Sequence, residues 1–322
     1  MSIPSNNTFK LNERAHRRAQ LLMEHAEFFG AKVHDTGIAA VVVDCGASVP
    51  GGLELGRILA EVCMADLGTV SIGGGNPQVH PGPALTVRTD HPVQACMASQ
   101  YAGWRIAHGG FFAMGSGPMR AAAGKEELFE SIGYTEPTAN VAVGILETRQ
   151  QPSADLTIKI ADEANVDVRN LTLLYAPTGS LAGTVQVVAR SVETALHKFH
   201  ELGFDVSKVV SGFGTAPLPP VAADDLQGIG RTNDAILYGG EVTLWVHAED
   251  DMLGELVAKI PSSASSDHGA PFGELFERYD RDFYKIDPQL FSPAVVIVHN
   301  LKSGRTFRAG EMRPDVLERS FA

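Results

Sequence analysis

The stretch whose reading decides the fold is Tyr175–Gly203, YAPTGSLAGTVQVVARSVETALHKFHELG. An apolar run ends at Ala176, a turn of small residues follows, and a helix begins. Val185, Val188, Val192, Leu196 and Phe199 recur at helical spacing and share one arc, at about 100° per residue. Gln186, Arg190, Glu193 and His197 share another. The helix therefore buries one side and carries an ordered polar stripe on the other. Arg190 and Glu193 are three residues apart, so their side chains are neighbours. A solvated face with a weak ion pair is one reading of that stripe. The other is a functional surface, because the stripe begins just after Thr178, Gly179, Ser180 and Gly183, a turn that lets another molecule approach the backbone.

Outward from this stretch, strands alternate with helices. Residues 11–29 form an amphipathic helix, with Ala15, Ala19, Leu22 and Ala26 aligned. Ile38–Val43 is a buried strand that leads through Asp44-Cys45-Gly46 and a Pro-Gly-Gly turn into a helix over 53–67. That unit and the one around Tyr175 share an order: apolar strand, small-residue turn, helix, Leu-Gly. Their separation of about 135 residues suggests two related halves; chance similarity is the alternative. Two strands flank Gly73-Gly74-Gly75-Asn76-Pro77, a helix follows over 93–107, and Phe111–Met114 is a short strand. Further strands are expected at 141–147, 155–160, 171–176, 208–212, 241–246, 294–300 and 306–309, with a rigid loop over 212–220 and helices over 161–165, 250–260 and 275–283. The class is α/β, with two domains of mixed sheets, 1–150 and 151–322, and an active-site cleft between them. Exchange of segments between the domains is compatible with this pattern.

A length of 322 residues exceeds one small core. Net charge −12 argues against a nucleic-acid partner, because phosphate binding needs concentrated positive charge. No apolar segment is long enough to span a membrane. The first residues lack the apolar core of a signal peptide, and the odd number of cysteines (Cys45, Cys63 and Cys96) reads as reduced buried thiols, so a cytoplasmic protein is expected. No spacing of Cys or His supports a metal site.

Several Gly-x-Gly turns follow strands, but Arg120, Pro217 and Asn233 stand where the last glycine of the dinucleotide fingerprint belongs. Gly115-Ser116-Gly117-Pro118-Met119-Arg120 instead offers a helix start, with Ser116 as N-cap and Arg120 beside it. That is an anion site or simple capping. Asp44, Asp90 and His91 sit at strand ends, where open α/β sheets place ligands. Asp234 follows Arg231 by three and could repeat the Arg–carboxylate theme. The loop 262–269 could cover a site. These features allow an anionic, partly apolar small molecule to bind and leave the reaction open.

Longer motifs carry more. Val43-Asp44-Cys45-Gly46, Thr89-Asp90-His91-Pro92, Ser99-Gln100-Tyr101-Ala102-Gly103-Trp104, Ala113-Met114-Gly115-Ser116-Gly117-Pro118, Ala176-Pro177-Thr178, Ala189-Arg190-Ser191-Val192-Glu193-Thr194, Gly230-Arg231-Thr232-Asn233-Asp234, Gly269-Ala270-Pro271-Phe272 and Asp282-Phe283-Tyr284-Lys285-Ile286-Asp287 follow one another along the chain. In this order the chain resembles the methenyltetrahydromethanopterin cyclohydrolases. The resemblance implies hydrolysis of the methenyl bridge of a reduced pterin to the 5-formyl product, without cofactor or metal. It implies one-carbon metabolism, such as formaldehyde oxidation in methylotrophs, and a homotrimer. It assigns Glu193 as general acid/base and Arg190 as the group that positions it and keeps it ionised. Asp90, His91, Ser99, Gln100, Gly115, Ser116, Arg120, Thr178, Ser180, Arg231, Asn233 and Asp234 are the expected substrate-binding residues. A reduced-pterin carrier without catalysis and a folate-dependent cyclohydrolase are the alternatives.

Overall fold

The computed structural model describes residues 9–280 and 285–322. The N-terminal leader reading, residues 281–283 of the expected helix and Asp282-Phe283-Tyr284 of the last motif lie outside them. In chain order the strands are β1 (Lys32–Asp35), β2 (Val41–Asp44), β3 (Thr69–Gly74), β4 (Pro83–Thr89), β5 (Trp104–His108), β6 (Phe111–Ser116), β7 (Ala142–Glu147), β8 (Leu171–Ala176), β9 (Val209–Pro217), β10 (Glu241–Val246), β11 (Val295–Asn300) and β12 (Thr306–Gly310).

The chain forms two α/β units from interleaved segments. The first ends at Gly68 and resumes over Val93–Gln186; the second combines Thr69–Pro92 with Val187–Ala322. Position 150 falls inside the first unit, between β7 and the helix Ala154–Glu163. Among the described residues each unit holds a six-stranded mixed sheet.

In the first unit the sheet order is β1-β2-β8-β7-β6-β5. Its centre, β2-β8-β7, is parallel, and both edges are antiparallel. β7 and β8 read as continuous apolar runs because both faces are covered. On one face Val43, Val143, Ile145 and Leu174 pack with Ala15, Leu22, Leu55, Leu59 and Ala182. On the other, Val42, Leu146, Leu171 and Leu173 pack with Leu156, Ile160 and Met119. The two similar strand–turn–helix units, around Asp44 and around Tyr175, are parallel neighbours in this one sheet, with Val41 opposite Thr172 and Asp44 opposite Tyr175. They are not equivalents in two halves.

Two local expectations give way here. Asp155–Ile160 alternates apolar and polar residues, yet it lies in the helix Ala154–Glu163, which Ser153 caps by accepting from the Leu156 N–H at 3.3 Å. Leu156, Ile160 and Ala161 are buried and Ile158 is exposed, so the period is helical. The helix expected over 93–107 ends at Gln100. It is wound as a π-helix, with the Tyr101 N–H donating to Cys96 O at 2.8 Å, and β5 follows. His108-Gly109-Gly110-Phe111 closes a two-residue hairpin with positive φ at both glycines, the conformation a tight turn between strands needs.

The second unit has the order β12-β11-β10-β9-β4-β3, parallel only between β10 and β11. β9 continues through the expected loop as far as Pro217. Its Gly212 and Gly214 face the helix Ser191–Glu201: a Cβ on Gly212 would lie 2.7 Å from Val192 Cγ1, and one on Gly214 would collide with Ser191 Oγ. Missing side chains on one strand thus seat the start of this helix directly on the sheet.

Candidate functional site

The long helix read from the sequence is two helices, Leu181–Val188 and Ser191–Glu201. No Gly or Pro announces the interruption at Ala189-Arg190. The division between the units falls within the first of these helices, between Gln186 and Val187. Val185, Val188, Val192, Leu196 and Phe199 are all fully buried, as their spacing requires.

The polar stripe is buried too. Gln186, Arg190 and Glu193 are each at most 6 % exposed, which excludes a solvated face for those three. Arg190 is the N-cap residue of Ser191–Glu201, at φ −89° and ψ 8°, and Glu193 lies in the first turn. Arg190 O accepts from the Thr194 N–H at 2.8 Å and from Thr194 Oγ1 at 2.9 Å, so the cap is well formed. A carboxylate in the first turn of an eleven-residue helix meets the positive end of its dipole, and Arg190 precedes it by three residues.

Asp90 and His91 lie in the same unit, just beyond β4. The Asp90 carboxylate accepts from Ser211 Oγ at 2.7 Å, and the His91 N–H donates to Thr89 Oγ1 at 3.0 Å. Ser211 alternates with Gly212, which faces the helix, so Ser211 projects from the opposite face of the sheet. The Asp90 carboxylate is thus directed away from the helix that carries Glu193.

Arg231, Asn233 and Asp234 stand on the helix Asp225–Gly239 and are engaged in holding the fold. Arg231 donates to the carbonyl oxygens of Pro220, Ser320 and Ala322. Asn233 donates back to Ile229 O. Asp234 is fully buried; it accepts from the Phe272 N–H at 2.9 Å and from Ser320 Oγ at 2.6 Å. Burial pushes its carboxyl up to about 7, and those two hydrogen bonds offset only part of the shift. Arg231 lines a depression of about 260 Å³ with Gln227, Pro271, Glu274 and Arg319; Glu193 is not part of its wall.

In the first unit the structure gathers Ser99, Gln100 and Ser116 around Cys63. The Cys63 thiol lies 3.4 Å from Ser116 Oγ, 3.8 Å from Gln186 Nε2 and 3.9 Å from Gln100 O, and Ser99 Oγ donates to Cys63 O at 2.6 Å. The sequence identifies Cys63 only as a reduced buried thiol and gives no sign of its place at the centre of this cluster. Gly115 is buried in β6 against Ile106 and Met119.

Arg120 corrects an expectation. Its helix, Met119–Ala123, has five residues with Pro118 at the N-cap, while Ser116 ends β6. Nε and Nη2 bind the two oxygens of Glu126 at 2.8 and 2.5 Å, and Nη1 donates to Met97 O and Ser99 O. Tyr101 and Phe129 lie over the guanidinium at 5.0 and 5.4 Å. The side chain is an internal strut, and its fork is not presented to an anion.

The turn before the helix Leu181–Val188 is closed from within. Ser180 Oγ donates to Pro177 O at 2.8 Å and accepts from the Gly183 N–H, and Thr184 Oγ1 donates to Thr178 O. Beside it, Asp44 shapes the turn after β2 by accepting from the N–H groups of Gly46, Ala47 and Ser48 and from Ser48 Oγ. Burial opposes its ionisation, but these four donors outweigh it and hold the carboxyl below the usual range. Among the described residues no three Cys, His, Asp or Glu side chains gather as a metal site, and no helix is long and apolar enough to cross a membrane.

The sequence model of the family described as Cyclohydrolase (MCH) matches residues 10–321. The chain belongs to that family. Its relatives within the MCH family include the methenyltetrahydromethanopterin cyclohydrolase of Rhodopirellula baltica, 50% identical over 286 residues, which cover 88% of this chain and 86% of that protein. The protein of the same name from Methylobacillus flagellatus is 44% identical over 97% of this chain and 95% of its own length. The one from Methanospirillum hungatei is 43% identical, covering 97% and 98%. The MCH match therefore takes in both units and every buried polar group described above.

Proposed function

We propose that this chain hydrolyses the methenyl bridge of 5,10-methenyltetrahydromethanopterin to 5-formyltetrahydromethanopterin, with Glu193 as acid/base and Arg190 as its partner. The observation that carries this is the joint burial of Arg190 and Glu193 at the start of one helix. A carrier would gain nothing from a buried carboxylate at a helix start. The activity named for the relatives fits such a group.

The bridge carbon lies between two nitrogens and shares their positive charge. The Glu193 carboxylate accepts a proton from water as the oxygen adds to that carbon, giving a neutral adduct. The protonated Glu193 then delivers the proton to the leaving nitrogen while that carbon–nitrogen bond breaks. The adduct hydroxyl becomes the formyl oxygen and releases its own proton. Cation and water thus give neutral product and one proton. Arg190 supplies a charge that does not titrate, which keeps Glu193 in the form that accepts from water. A general acid–base contribution of this kind is worth about 10²–10⁴ in rate; the reactivity of the cation supplies the rest.

The same reading extends to a cytoplasmic homotrimer serving one-carbon metabolism, including formaldehyde oxidation. The experiment is to mix the purified protein with methenyltetrahydromethanopterin and, separately, with the methenyl folate analogue, and to follow loss of the methenyl absorbance. Rapid loss with the methanopterin derivative, and much slower loss with the folate, supports the reading. Binding without turnover makes the protein a carrier, and preference for the folate moves it to the other cyclohydrolase class. Mass measurement in solution tests the trimer.

A further inference from the structure

We infer that His197 carries the proton released in each turnover from the buried Glu193 carboxyl to solvent, passing it toward Glu201 on the same helix face. The inference rests on the reading of Glu193 as acid/base given above.

The reaction leaves one proton behind, and a carboxylate must be regenerated before the next water can be activated. Glu193 is 6 % exposed, so direct exchange with bulk water is hindered. Glu193, His197 and Glu201 follow at intervals of four within the one helix Ser191–Glu201, and four-apart side chains stand as neighbours on a helix surface. Exposure rises along the row, to 28 % for the His197 side chain and 57 % for that of Glu201. Helical side chains lean toward the N-terminus, over the residue one turn back. Glu201 follows this rule: its Oε1 lies 3.7 Å from His197 Nε2. On that spacing His197 itself follows Glu193 by one turn of the same helix.

The transfer balances. The adduct hydroxyl loses its proton to the Glu193 carboxylate as the formyl group forms. Protonated Glu193 gives it to one ring nitrogen of neutral His197, which becomes imidazolium. Nε2 then releases a proton to the Glu201 carboxylate or to water, and the imidazole is neutral again. Imidazole suits the task because its ordinary titration lies near neutrality, so it both accepts and releases protons there.

The other groups beside Glu193 on this helix do not suit it. Arg190 stays protonated. The Thr194 hydroxyl donates to Arg190 O. Lys198 points to another side of the helix, where its Nζ donates to Gln289 O at 2.8 Å and to Gln289 Oε1 at 2.6 Å.

The test compares His197→Ala and His197→Gln with the parental protein on methenyltetrahydromethanopterin, in weak buffer and with added imidazole. We expect kcat in weak buffer to fall about tenfold or more with KM nearly constant. Added imidazole should restore it with saturation, while Glu193→Gln stays unresponsive to imidazole. Because His197 is partly exposed, unchanged circular dichroism and melting temperature are expected and are measured alongside. Parental kcat in the variants, or a loss that imidazole does not restore, overturns the relay while leaving the assignment of Glu193 standing. A parental protein that leaves the methenyl absorbance untouched removes the proposed function, and the relay with it.

Discussion

Arg120 of the first unit and Arg190 of the other have similar sequence surroundings: each stands near a small-residue turn with a glutamate close downstream. Both are buried, and they differ in what surrounds them. Arg120 spends its donors on Glu126 and two backbone carbonyls, between two aromatic rings, on a helix of five residues. Arg190 stands at the N-cap of a helix of eleven residues whose start rests on Gly212 and Gly214 of β9, with Glu193 in its first turn. The first arrangement is a closed strut. The second places an arginine and a carboxylate together at the positive end of one helix dipole. Burial of an arginine therefore says little about its role until its partners are counted.

Substitutions can break or sharpen that contrast. The largest expected effect on stability is at the strut. Arg120→Met leaves Glu126 without its partner and should cost about 3–5 kcal/mol in urea unfolding. Replacing Glu126 as well should recover much of the loss, and turnover of the protein that remains folded should stay near parental. A stable Arg120→Met protein with weakened substrate binding would return Arg120 to the binding site. Gly214→Ala comes next. The added methyl meets Ser191 Oγ and lifts the helix start, so it should cost about 1–3 kcal/mol and lower kcat. Gly73→Ala, where a Cβ meets open space, is the control and should stay within about 0.5 kcal/mol.

The effect at Asp234 is read as a change of slope against pH. Its carboxyl in the folded chain titrates at about 7, whereas an unfolded aspartate titrates near about 3.9. Between these values the folded chain binds more protons than the unfolded one, so this group costs stability as pH rises through that window. Asp234→Asn removes the titration. Melting temperatures measured from pH 4 to 8 should therefore shift in favour of the variant as pH rises; parallel curves would show that Asp234 is not held protonated.

The elements legible in the sequence are those fixed by local pattern. β8 and the apolar face of the helices that follow it stand where Val185, Val188, Val192, Leu196 and Phe199 put them. Alternation in 155–160 misled because Ile158 is an exposed apolar residue on a helix. The break at Ala189-Arg190 has no local signal, since neither Gly nor Pro marks it. The pairing of β2 with β8 and the insertion of Thr69–Pro92 into the other unit are long-range facts that no window of sequence contains. Arg120 is a mixed case: Glu126 and Phe129 follow it closely in sequence, but Tyr101 and the carbonyls of Met97 and Ser99 come from another stretch, and only folding shows that they close around it. Around Glu193 the motif spacing sufficed to propose a role, because the relevant neighbours lie within one turn of helix.

The central claim is that Glu193 is the acid/base, and the most direct test is Glu193→Gln. The substitution keeps the shape and removes the titrating group. Binding of the methenyl substrate and its turnover at saturation should be measured on the same preparation. Binding should persist while kcat falls about 10²-fold or more. A glutamine variant that turns over at the parental rate would contradict that claim.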